Sequence, residues 1–118
     1  MGRIIFTGRP ADGRVGGAEN PWKTLTNADD GYQSSNGDRL LCDTSGGAFS
    51  INLPGSPTVG DQVRFMDVGG NFATNALTVS RNGSNILATA DDLEATNQNA
   101  AFALVYAGAS AGWTLLEL

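Results

Sequence analysis

Histidine does not occur in this 118-residue chain. That removes the side chain most often used as a general base near neutral pH, and the commonest metal ligand with it. Cysteine occurs once, as Cys42, so no intrachain disulfide can form and a disulfide-stapled secreted mini-domain is excluded. Charged residues make up only 16% of the chain, against about a quarter in ordinary soluble domains. A net charge of −5 argues against binding nucleic acid, because a phosphate backbone calls for a basic stripe. No apolar run approaches the roughly 18 residues of a membrane-spanning helix, so no membrane partner is expected. Near the N-terminus, Ile4, Ile5 and Phe6 give way at once to Gly8, Arg9 and Pro10. That is too short for the apolar core of a signal peptide, and the expectation is a chain made and folded in a cytoplasm.

Present in their place are short alternating apolar runs separated by Gly, Asn and Pro. The runs are Arg39–Asp43, Ala48–Leu53, Gln62–Val68, Leu77–Ser80, Ala101–Tyr106 and Trp113–Leu118. Phe49, Ile51 and Leu53 alternate with Ser50 and Asn52, which is the period of a half-buried strand. Nowhere is there a sustained 3.6-residue period, so little helix is expected. The pattern predicts an all-β fold, a small antiparallel β-sandwich or barrel of jelly-roll type. Its expected core, or the axis of an oligomer, consists of Phe49, Ile51, Val63, Phe65, Leu77, Val79, Phe102, Leu104 and Trp113. Asn82-Gly83 predicts a type I′ hairpin with Ile86-Leu87 as the returning strand. Ala90–Ala95 fits either a helical turn or an exposed bend.

Charge divides the chain. Residues 1–17 hold Arg3, Arg9 and Arg14 against Asp12, a balance of +2, while the remainder holds four basic and eleven acidic residues, a balance of −7. The first stretch is punctuated by glycine and cannot bury enough apolar surface to fold alone. Residues 1–31 therefore read as an extended basic arm and connector, and 32–118 as the β-sandwich body. Within the arm, Arg3-Ile4-Ile5-Phe6-Thr7 can become a strand if it finds an edge to pair with. Trp22, after Asn20-Pro21, is an aromatic that must pack on something. Arg3, Ile4, Ile5, Phe6, Arg9, Arg14 and Trp22 are the expected partner-binding residues. The competing reading of the arm is a frayed terminus.

Motifs with chemical associations resolve into turns. Gly108-Ala109-Ser110-Ala111-Gly112 has the form of a nucleophile elbow, but its flanks are strands, and the chain holds no histidine base. Asp43-Thr44-Ser45-Gly46 has one residue too many between carboxylate and glycine for the loop of an aspartic protease. Asp29-Asp30 and Asp91-Asp92 with Glu94 lack the alternating spacing of a calcium loop. Asn82-Gly83-Ser84 is formally a glycosylation sequon in a chain without a secretory signal. Cys42, among Leu40, Leu41 and Phe49, is expected to be a buried thiol without reactivity. Trp22, Tyr32 and Trp113 suit core and interface packing better than a carbohydrate platform. Catalytic, metal and cofactor sites are all expected to be absent.

Several stretches bear a family likeness: Asp38–Gly47 with Ile51-Asn52-Leu53-Pro54, Val59–Asp67, Asn75–Gly83, and Tyr106 through Gly112-Trp113. Together they make residues 32–118 resemble a β-rich module of structural proteins in tailed bacteriophages, notably cyanophages, where it often ends tail-fibre or appendage chains. The resemblance implies a non-enzymatic virion component, trimeric, located at the particle surface after assembly in the host cytoplasm. A short chain with a cationic arm, and no long shaft before the module, is expected to be a capsid decoration (cement) protein. Its partners would be the major capsid protein or another virion protein, and further copies of itself. The alternative is a tail-fibre or appendage module that binds host receptor glycans.

Overall fold

Alternate residues are buried along Arg39–Asp43, Phe49–Asn52, Gln62–Asp67 and Leu77–Ser80 in the computed structural model, which describes residues 20–117. Nine strands form: β1 (Trp22–Thr26), β2 (Tyr32–Gln33), β3 (Arg39–Asp43), β4 (Phe49–Asn52), β5 (Gln62–Asp67), β6 (Leu77–Ser80), β7 (Leu93–Ala95), β8 (Ala101–Tyr106) and β9 (Trp113–Glu117). In β5, buried Val63, Phe65 and Asp67 alternate with half-buried Gln62, Arg64 and Met66. Such alternation puts one face of each sheet against the other and leaves the opposite face outward. Among the described residues, helix is limited to a single 3-10 turn over Asn27–Asp29.

The result is an all-β sandwich of two sheets, one ordered β1-β3-β5-β8-β9 and the other β2-β4-β6-β7. Its pairing differs from the antiparallel expectation. β1, β3 and β5 run parallel to one another, as do β2, β4 and β6. From β1 to β6 the chain alternates between the sheets, so each strand returns beside the one two earlier, as in a coil wound around the core. Only β7, β8 and β9 turn back antiparallel, β7 on β6 and the β8–β9 hairpin on β5. Parallel neighbours require a crossover of a dozen or more residues. Here a strand of the opposite sheet supplies the crossover in place of a helix.

Other expectations are also revised. β1 belongs to the five-stranded sheet, so the folded body begins before residue 32, and Trp22 sits in a strand. The Asn82-Gly83 turn forms, with φ of 50° and 94°, but β6 pairs with β7 and not with Ile86-Leu87. Ile86 instead bridges to Thr89 and, in parallel, to Trp113. The undecided segment around Leu93 is a strand. Arg3, Ile4, Ile5, Phe6, Arg9 and Arg14 lie outside the described residues.

All nine residues expected in the core are buried. Leu40, Phe72 and Cys42 join them with no exposed surface. Phe65 stacks on Phe102 at 5.0 Å between ring centroids, and Tyr106 meets Trp113 edge-on at 5.4 Å. Polar side chains tie the corners where the chain changes sheets. The buried carboxylate of Asp67 accepts from the backbone N–H groups of Asn71, Phe72 and Asn99 at 3.1, 3.1 and 2.9 Å. It thereby joins the β5–β6 corner to the β7–β8 corner and seats Phe72 in the core. Asp38 accepts from the Tyr32 hydroxyl and the Ser35 N–H. Asn75 donates to the Thr44 carbonyl at 2.8 Å.

Two stability experiments follow. Asp67→Ala leaves buried donors without an acceptor and is expected to lower unfolding free energy by about 3 kcal/mol or more, with a smaller loss for Asp67→Asn; urea denaturation measures both. Leu87 and Ala88 carry φ of 52° and 65°, in the left-handed region that disfavours side chains with a Cβ. Ala88→Gly is therefore expected to stabilise the fold by about 1 kcal/mol, read as a raised urea midpoint.

Candidate interaction surface

The outward face of the five-stranded sheet follows from its register. One row across it contains Trp22, Arg39, Arg64, Ala103 and Leu116; the next contains Thr24, Leu41, Met66 and Ala101. Arg39 and Arg64 are direct parallel neighbours, a juxtaposition of like charges that a sheet ordinarily avoids. Each is held by local polar groups. The Arg39 guanidinium lies 4.6 Å from the centroid of the Trp22 ring and donates from Nη1 to the Asn20 carbonyl at 3.0 Å. Arg64 donates from Nε to Oε1 of Gln62 at 3.3 Å. Amide side chains of Asn20, Asn36 and Gln62 join the two arginines around a shallow polar cleft of about 520 Å³. Past it the face becomes apolar through Leu41, Met66 and Val105. A surface of this kind suits another protein surface, with aromatic, apolar and Arg groups together.

Trp22 is thus an anchor on the β1 edge of the sheet, and Asn20 beside it marks where the preceding residues join the body. The aromatics do not gather into a carbohydrate platform. Trp113 has no exposed surface, while Tyr32 stands on the β2 edge of the other sheet. There the Tyr32 hydroxyl receives a hydrogen bond from Lys23 at 2.9 Å and donates to Asp38. That contact, with the Asp38 carboxylate 3.6 Å from the ammonium, raises the Lys23 pKa above its ordinary value, the Tyr32 hydrogen bond first and the Asp38 charge second.

The clustered carboxylates act singly. Asp43 accepts from both the N–H and the hydroxyl of Ser45, at 3.0 and 2.6 Å, and these bonds lower its pKa. Asp29 accepts from the Thr26 N–H, Asp30 from the N–H and hydroxyl of Ser50, and Asp92 from the Arg81 N–H. Among the described residues no three His, Cys, Asp or Glu side chains stand together as metal ligands would. Gly108–Gly112 is the β8–β9 turn, closed by the Gly112 N–H on the Gly108 carbonyl at 2.7 Å.

A second feature escaped the sequence reading. β9 ends the five-stranded sheet, and Leu115 and Leu116 on it are 39% and 47% exposed. Beside it, between β9 and β7, the sandwich opens into a cleft of about 340 Å³ with Leu93, Ala95, Phe102 and Leu115 among its lining. The signal was present in Thr114-Leu115-Leu116-Glu117, where adjacent leucines put apolar side chains on both faces of one strand. The sequence matches no protein-family model and no curated protein.

Cys42 is buried on the inward face of β3, and burial pushes its thiol pKa up to about 12. The native protein is expected to resist alkylation by iodoacetamide at pH 8 and to react fully in denaturant, as mass spectrometry would record. Because the folded pKa lies above the unfolded one, stability from this group is complete below about pH 9 and declines as pH rises toward 12, by up to about 1.4 kcal/mol per unit. The decline should be weaker in Cys42→Ala.

Proposed function

We propose that this chain is a non-enzymatic structural protein of a tailed-bacteriophage particle, a decoration protein that binds the capsid surface as a trimer. The observation that carries the reading is how the polar side chains are used. Asp30, Asp38, Asp43, Asp67 and Asp92 each accept hydrogen bonds from the backbone at corners of the fold. What the body offers outward is a weakly charged sheet face, with Trp22 and Arg39 at one edge and exposed leucines at the other. These are materials for adhesion. The resemblance of residues 32–118 to phage structural modules supplies the context, and the +2 arm supplies a tether for acidic or polar capsid surface. The mechanism is attachment: Arg3, Arg9 and Arg14 meet the shell, while Ile4, Ile5 and Phe6 extend a neighbouring sheet.

The test is reconstitution on particles lacking the protein. Full-length chain is expected to co-sediment with them and to appear in reconstructions as many copies spread over the head. A chain without residues 1–17 is expected to stay folded by circular dichroism and to bind at least about tenfold more weakly, the loss of roughly 1.4 kcal/mol or more of contact. Undiminished binding by the truncated chain would show that the arm is dispensable. Density confined to the tail, in few copies, would favour the fibre or appendage reading instead.

A further inference from the structure

We propose that the β9 edge and the cleft beside β7 receive residues 3–7 of a second copy of this chain as an added strand. The proposal rests on the adhesive role given to the arm above, although it requires no particle.

The β9 edge is half covered. Trp113 donates its N–H to the Asn85 carbonyl and accepts from the Leu87 N–H, both at 2.8 Å, so its backbone faces away from β8. Alternate residues of an antiparallel strand turn the same way, which directs the N–H and C=O groups of Leu115 and Glu117 outward too. Among the described residues no strand lies beyond them. Lysine, proline and bulge, the usual guards of an open edge, are missing from Trp113–Glu117. A short apolar strand entering here would continue the line that Ile86 begins with its parallel bridge to Trp113. Self-pairing of two β9 edges is disfavoured, because each edge already carries its Ile86–Thr89 turn and leaves too few residues to overlap.

The arm supplies the matching segment. As a strand, Arg3-Ile4-Ile5-Phe6-Thr7 puts Ile4 and Phe6 on one side, about 7 Å apart. That side meets the cleft lined by Leu93, Ala95, Phe102 and Leu115. Ile5 falls on the other side, beside Leu116. Charge agrees, since Glu94 and Glu117 border the cleft while Arg3 and Arg9 flank the segment. The topology favours exchange between copies. The arm joins the body at the β1 edge and the acceptor is β9, at the opposite edge of the sheet, about 19 Å across at ordinary strand spacing. Within one chain the linker would have to cross the whole outward face. Between neighbours set edge to edge it spans a gap, and such head-to-tail contacts close into rings.

Cross-linking in solution tests the exchange. Tagged Ile5→Cys chain and untagged Leu116→Cys chain are mixed and treated with a short bismaleimide; both changes spare Ile4, Phe6 and the core, and buried Cys42 stays silent. A tagged–untagged species is expected, at several times the yield obtained when Val59→Cys, on an exposed loop, replaces Leu116→Cys. Yield no higher than this control overturns the proposal, as does cross-linking confined to monomers of the double variant. Particle binding is scored separately. Decoration without the cross-link sinks the exchange alone, and the cross-link without decoration sinks the capsid reading alone.

Discussion

Winding parallel strands without helices forces the chain to change sheets at every corner, and each corner brings backbone polar groups close to an apolar core. Those groups must be satisfied if the winding is to hold. Asp67 does this most completely. A buried carboxylate accepting three N–H groups from two separate corners couples the wound half of the molecule to its antiparallel end. Phe72 enters the core because its own N–H is held there. Asp30, Asp38, Asn75 and Asp92 perform the same service with one or two bonds each. The acidic character of the body is thus partly a consequence of its topology, since carboxylates accept from N–H donors without needing a partner for a donor of their own.

This use of polar groups shapes what the molecule offers to others. Asp29 and Asp30, neighbours in sequence, accept from separate partners, the N–H groups of Thr26 and Ser50, and Asp92 accepts from the N–H of Arg81. At one end of the five-stranded sheet Trp22 and Arg39 lock the start of the body in place. At the other, β9 ends with exposed leucines on both of its faces and a cleft beside it. The strained turn at Leu87 and Ala88 belongs to the same region: its hydrogen bonds to Trp113 and Ala111 cover the first half of that edge and stop short of the second.

Strand positions were legible because a half-buried strand writes its burial into alternate residues. Arg39–Asp43, Leu77–Ser80 and Ala101–Tyr106 have the same bounds in the structure as in the pattern. The inward set from Phe49 to Trp113 was readable for the same reason. β1 and β7 were not, since Trp22–Thr26 has only one buried residue and Leu93–Ala95 is too short to display a period. Trp22 was legible as an aromatic in need of a partner, but not as a residue stacked on Arg39. The β9 edge escaped because the adjacent leucines read equally well as core.

Residue order alone determined that this would be an all-β fold, a sandwich or a barrel, which residues of its strands face inward, and that Asn82-Gly83 would turn. Only the tertiary structure decided which strands are neighbours. A turn after a period-two strand can fold back into the same sheet or cross to the other one, and the residues on either side look alike in both cases. What separates the alternatives is whether distant carboxylates and apolar side chains meet at the corners, as Asp67 meets the N–H of Asn99, and that is a property of the assembled chain.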